Sequence, residues 1–332
     1  MVEGRKQLDR FPMHVAQRIA LATTSTCAPI QLIHRPQNVA RQVYSAASDG
    51  TDSHSCRLWA YQGTSMSCPI VAGASAMVRQ YFVNETFYTA DVTARGFCSD
   101  GFICEGFSPS AATVKALLIN SANLMGESSQ PNGNRGFGRI HLEEGMPLEG
   151  EGELALFVAD ALDTSIGEDT VEEYLFDVDA DAGLELRATL SWIDYPATST
   201  SAIQLVHDLD LVVVSPNGIV HRMWGSDFTD NRNVNERVIV DADDVETGTW
   251  TVLVYSNSLV TDSQSYSLAV NGAISAGTGE GASGSFDISN PYFTGDLAGS
   301  GSGPHSVTPP ARLSMILGAT LAAVVAAGAC MM

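Results

Sequence analysis

The chain has 332 residues, 45% of them hydrophobic, with twelve Phe and nine Tyr; this is enough apolar material for two packed domains and too much for a disordered polymer. A formal net charge of −21, from 38 acidic residues against 17 Lys and Arg, excludes a nucleic-acid-binding protein, which needs a basic stripe. The same acidity suits plain solubility and, equally, oxygen ligation of a hard cation such as calcium.

In chain order, Met1–Gln37 shows no basic-then-apolar leader pattern, and residues 1–42 stay unassigned. A short strand is predicted within Gln42–Ser48. Next comes Gly63-Thr64-Ser65-Met66-Ser67-Cys68-Pro69, a glycine-led turn that runs into a buried, small-residue helix predicted over Ser65–Phe82. Gly63 permits a strained backbone just before the serine. The free amides and positive end of the new helix face the place where an oxyanion would form. Pro69 falls in the first turns, where a missing N–H costs little. The arrangement presents the Ser65 hydroxyl for acyl transfer; the rival reading of a bare Gly-x-Ser is a helix N-cap.

A sequon, Asn84-Glu85-Thr86, follows the helix, then a Gly/Cys-rich loop over Asp91–Phe107 and a helix over Ser110–Ala122 started by Ser or Pro. Acidic, Gly-containing text at Glu143–Glu153 marks a boundary, and residues 147–172 read as a junction. Beyond it the apolar period changes to two. Leu184, Leu186, Ala188, Leu190 and Trp192 alternate with polar residues, as do Leu209, Leu211 and Val213, and Ser215-Pro216-Asn217-Gly218 is a turn signal. Val238–Val240, Thr249–Tyr255 and Tyr266–Val270 add short strands, which makes residues 173–274 an all-β sandwich or jelly roll. Residues 275–312 form a Gly/Ser/Pro-rich linker. Residues 313–332 carry no charge and are long enough to cross a bilayer, either as a cleaved lipid-anchor (GPI) signal or as a membrane anchor. The six cysteines lack metal-ligand spacing; Cys98 with Cys104, or Cys56 with Cys68, are candidate disulfides, and separate thiols are the alternative.

Gly63–Pro69 with Val71-Ala72-Gly73 resembles the catalytic-serine segment of subtilases, the subtilisin-like serine proteases. Pro109–Ile119 resembles the late helix of that fold and Gly136-Phe137-Gly138-Arg139-Ile140 the segment that closes it, so residues 43–146 look like the C-terminal part of a subtilase catalytic domain. Asp208–Val213, Ser215–Gly218, Asn231–Glu236 and Gly248–Val252 are similar to the jelly-roll domain of a branch of alkaline subtilases. The resemblance implies an α/β catalytic fold followed by that β-domain, a polypeptide substrate, Ser65 as nucleophile, a β-domain packed on the catalytic domain, and calcium.

Subtilase chemistry runs in the chain order Asp, His, Ser, with the histidine roughly 150 residues before the serine. Only 64 residues precede Ser65, and they hold neither an Asp-Ser-Gly strand end nor a His-Gly-Thr helix start. The Asn that serves as side-chain oxyanion donor also has no match, and His14, His34 and His54 lie in text unlike the family's base motif. The expectation is a truncated, poorly active endopeptidase at the cell surface, with an incomplete parallel sheet in residues 1–60. A membrane-anchored binding protein that keeps a protease remnant is the alternative. Asp208, Asp210, Asp227, Asp230, Asn233 and Glu236 offer oxygens for calcium, Asp208, Asp210, Asp230 and Glu236 foremost; the other reading makes them the wet face of a strand.

Overall fold

The structure, a computed structural model, describes residues 43–47, 57–61, 63–83, 88, 105–123, 131, 136–147, 152–223 and 230–277. Residues 1–42, Asp227, the sequon, residues 278–312 of the linker, the apolar tail, every cysteine but Cys68, and His14, His34 and His54 lie outside them.

Strands β1 (Val43–Ala47) and β2 (Arg57–Tyr61) pair antiparallel. Among the described residues no parallel pair occurs; the parallel sheet expected in residues 1–60 falls mostly on residues outside the described ones. Helix α1 spans Thr64–Val83 and α2 spans Ala111–Asn120. The two-residue strands β3 (Ala122–Asn123) and β4 (Arg139–Ile140) pair with each other, and the short helix α3 (Leu142–Gly145) follows.

The remaining strands build two antiparallel sheets. They are β5 (Ala155–Ala159), β6 (Ser165–Gly167), β7 (Val171–Val178), β8 (Leu186–Trp192), β9 (Asp208–Val214), β10 (Val220–His221), β11 (Asn235–Val240), β12 (Gly248–Ser258), β13 (Ser263–Gly272) and β14 (Ile274–Ala276). One sheet runs β10-β9-β12-β7-β14 and the other β11-β8-β13-β5, with β6 also on β13. The stretch expected as a junction therefore holds β5, buried at every residue, and β6. Trp192, Trp250, Phe157, Phe176 and Tyr266 fill the space between the sheets. The turn at Ser215–Gly218 forms as its sequence indicates: the Gly218 N–H donates to Ser215 O at 2.9 Å, and Gly218 takes φ 82°.

The sheet of β8 has an unusual outer face. Its sequence alternates, yet every residue of β8 is buried. Cross-strand rows Arg237–Thr189–Ala269, Ile239–Arg187–Asn271 and Asn235–Ser191–Ser267 bring the polar alternates together on the side away from the sandwich core. Helix α2 lies on that side. Asn120 donates to Asn271 Oδ1 at 2.8 Å and accepts from the Thr189 hydroxyl at 2.9 Å. The apolar side chains of α2, Ala116, Leu117 and Leu118, join α1 residues Val78, Tyr81 and Phe82 in one core that continues into the sandwich. No described helix is long and apolar enough to cross a membrane.

Candidate active site

Gly63 adopts φ 138°, a conformation that costs an L side chain dearly, and its carbonyl accepts the Met66 N–H (3.1 Å), the Ser67 N–H (3.2 Å) and the Ser67 hydroxyl (3.3 Å). That turn starts α1 at Thr64 and leaves Ser65 in the first turn, where the Thr64 and Ser65 N–H groups precede any helical acceptor. Ser67 faces inward, whereas Thr64, Ser65, Cys68 and Pro69 are exposed. Pro69 lies inside the helix, in its second turn, so the Ser65 carbonyl lacks its i+4 donor. The exposed Ser65 side chain thus stands at the start of α1, beside the Thr64 and Ser65 amides.

The expectation of a buried α1 needs correction in its first half. Ala72, Gly73 and Ala76 are exposed, and among the described residues burial begins in earnest at Val78, Tyr81 and Phe82. The far half is locked by edge-on packing of Tyr81, Phe82, Tyr88 and Phe107 and by the Tyr81 hydroxyl, which donates to Pro147 O at 2.9 Å. Among the described residues no histidine or carboxylate hydrogen-bonds Ser65. Cys68 is exposed and free, so the Cys56–Cys68 pairing does not form.

Two further features escaped sequence reading. Asp160, 1% exposed, receives the Ser110 N–H (2.7 Å), the Thr113 hydroxyl (2.6 Å) and the Leu162 N–H (2.9 Å), and so places a carboxylate at the positive end of α2. At the opposite end the Arg237 guanidinium donates to Ile119 O and Ala122 O, both at 2.9 Å, while Arg187 donates to Asn120 O at 3.3 Å and pairs with Glu144 at 3.1 Å. Burial and the neighbouring Arg187 hold Arg237 down to about 10, which still leaves it charged at neutral pH. The only sequence signal was polar residues at alternate strand positions, which reads as a solvated face.

The acidic candidates converge at β9. Asp208, Asp210, Asp230 and Glu236 are all buried, so the wet-face reading fails for them. Glu236 Oε2 accepts the Leu211 N–H at 2.7 Å, Asn257 donates to Asp208 Oδ2 at 2.8 Å, and Asn233 donates to Asp230 Oδ2 at 2.6 Å. Among the described residues, Asp208 Oδ1, Asp210 Oδ2 and Glu236 Oε1 are buried without a partner. Burial, then the Asp208 charge, pushes Asp210 up to about 7; burial, then the Asp210 charge, raises Glu236 well above the usual carboxylate range. Hard oxygen donors with orphaned lone pairs fit the chemistry of calcium. As they stand, however, no three His, Cys, Asp or Glu side chains among the described residues close into a ready metal cage.

Comparison with known proteins agrees with the serine segment. The subtilase family (Peptidase S8) matches residues 27–139. Over 225 residues, 64% of this chain, the sequence is 27% identical to the serine protease/ABC transporter B family protein tagA of Dictyostelium discoideum, and the match spans 12% of that protein's length. Residues 27–139 are thus similar to the subtilase family, and the longer stretch is similar to a small part of a protein named as a serine protease.

Proposed function

We propose that the chain belongs to a serine endopeptidase that cleaves polypeptides through an acyl-enzyme on Ser65, and that these 332 residues by themselves turn over poorly. The observation that carries the first half is the Gly63 turn, which leaves Ser65 exposed in the first turn of α1. The second half rests on the missing base: attack by Ser65 Oγ on a carbonyl requires a group to take its proton, and none reaches it among the described residues. With binding and a partial oxyanion site alone, only a small residue of the normal rate survives. The β-sandwich is read as the jelly-roll domain of alkaline subtilases and the protein as a cell-surface one, held at the membrane through residues 313–332.

Calcium belongs to the same reading. Asp208, Asp210, Asp230 and Glu236 would hold it, after side-chain turns that bring Asp208 Oδ1, Asp210 Oδ2 and Glu236 Oε1 together beside Asp230. The ion would neutralise a cluster of like charges that is otherwise costly to bury.

A fluorophosphonate probe on the full chain tests the enzyme reading. Slow, sub-stoichiometric labelling that disappears in Ser65→Ala is expected. Label that persists in Ser65→Ala overturns the nucleophile assignment, and fast stoichiometric labelling overturns poor turnover. Complete absence of labelling favours the second reading, a non-catalytic surface-binding protein, which the lack of a partner for the Ser65 hydroxyl among the described residues also supports.

A further inference from the structure

We propose that the loop end of the sandwich around the start of β13 is a docking surface for a cationic amphipathic polypeptide segment. The inference is independent of the chemistry at Ser65. Among the described residues eight large hydrophobic side chains are exposed, and five of them sit on the loops of this one end: Leu162 (74%), Val260 (73%), Ile193 (60%), Tyr195 (51%) and Ile203 (47%). Isolated exposed aliphatics mean little; their concentration at one end of a fold marks an interaction surface.

Hydrogen bonds tie these loops to β13. Gln264 donates to Ile193 O at 3.2 Å, the Ala161 N–H donates to Ser267 Oγ at 3.0 Å, and the Tyr266 N–H donates to Thr164 O at 3.3 Å. The long loop between β8 and β9, residues 193–207, is pinned as well. Asp194 accepts the Val206 and His207 N–H groups at 2.7 and 3.0 Å. The fully buried His207 ring bridges Gln264 (2.6 Å) and Thr261 (3.2 Å) and packs 4.8 Å from the Tyr195 ring. Apolar groups are thus displayed on a fixed backbone, which lowers the ordering cost of binding.

Charge selects the occupant. Residues 160–170, 193–207 and 257–266 contain no Lys or Arg, and Glu168, Asp169 and Asp262 are exposed on the same loops, against the exposed Arg232 on the adjoining segment before β11. With a net charge of −21 on the chain, a second copy or an anionic lipid surface is repelled, whereas a segment with an apolar face flanked by Lys or Arg finds both of its faces matched.

The test uses the full chain and a fluorescent Leu/Lys amphipathic peptide, followed by anisotropy. Binding is expected, and the double variant Ile193→Ser, Val260→Ser should weaken it at least tenfold. The control Ile219→Ser, another exposed isoleucine on the turn before β10, should change it less than twofold. A Leu/Glu peptide of the same pattern should not bind. Equal binding by the double variant and the control overturns the proposal, as does absence of Leu/Lys binding. Self-association or capture by neutral phosphatidylcholine vesicles that the double variant abolishes also overturns it, by assigning the patch to a different occupant. If circular dichroism shows the double variant to be unfolded, Leu162→Ser on the neighbouring loop serves in its place, with at least a threefold loss expected.

Discussion

Asp160 Oδ2 lies 2.6 Å from the Thr113 hydroxyl and 2.7 Å from the Ser110 N–H, so a carboxylate of the sandwich caps a helix of the subtilase-like segment. Ser110 caps the same helix locally by accepting the Thr113 N–H at 3.2 Å. With Arg237 and Arg187 on the last carbonyls, α2 is clamped between a negative group at its positive end and two positive groups at its negative end. Helix α2 packs in turn beside α1, which carries Ser65. The sandwich is therefore part of what holds the serine segment in shape.

Asp160→Ala leaves a buried N–H and a buried hydroxyl without acceptors. It should cost about 2–4 kcal/mol in urea unfolding. A loss below about 0.5 kcal/mol would show that the cap is redundant.

Asn120 and Asn271 offer a cleaner measure of coupling between the two parts. In a double-mutant cycle with Asn120→Leu and Asn271→Leu, the coupling energy should be about 1–2 kcal/mol. Additive single effects would mean that the 2.8 Å hydrogen bond across the boundary contributes nothing net.

Two glycines should respond in opposite directions. A Cβ at Gly145 would sit 2.5 Å from Ser121 Cβ and 3.0 Å from its Cα, so Gly145→Ala forces α3 away from the chain it packs on and should destabilise by about 1–3 kcal/mol. Gly73, inside α1, has nothing within 4 Å of such a Cβ; Gly73→Ala should stabilise by about 0.5–1 kcal/mol. Thermal melts of both variants decide the point.

Much of this architecture was legible in the chain. The Gly63–Pro69 turn, both long helices and most of the sandwich strands follow from apolar period and turn residues, because those signals are local. Asp160 was not legible, since a carboxylate that ends a strand gains its meaning only from a helix 47 residues earlier in the sequence. The alternation in β8 gave the correct element and the wrong environment: Arg187, Thr189 and Ser191 occupy positions that read as wet, but α2 covers them. Composition also misled at α1, whose small apolar residues suggest burial while Ala72, Gly73 and Ala76 stand open to solvent. β5 and β6 went unseen because acidic and glycine residues around Glu143–Glu153 and Asp160–Asp169 mask two short apolar runs.

The acidic cluster gives a pH dependence with a definite sign. Asp210 is raised to about 7 and Glu236 and Asp208 are raised as well, so below pH 4 these groups are protonated in both folded and unfolded chains. As pH climbs from about 4 to 7, the unfolded chain releases its protons first, and stability falls by an amount on the order of a few kcal/mol. Calorimetry in a chelator should therefore show a higher melting temperature at pH 5.5 than at pH 7.5, and Asp210→Asn should remove part of the difference. Millimolar calcium at pH 7.5 should restore the lost stability. A melting temperature indifferent to calcium would remove the metal from this account.

Ser65 is the proposed acyl acceptor. Incubation of the full chain with a peptide p-nitrophenyl ester, followed by an acid quench and peptide mass mapping, examines that bond directly. The account requires a slowly accumulating acyl adduct on the peptide that contains Ser65, absent from Ser65→Ala. An adduct on any other residue, or equal acylation of Ser65→Ala, would contradict it.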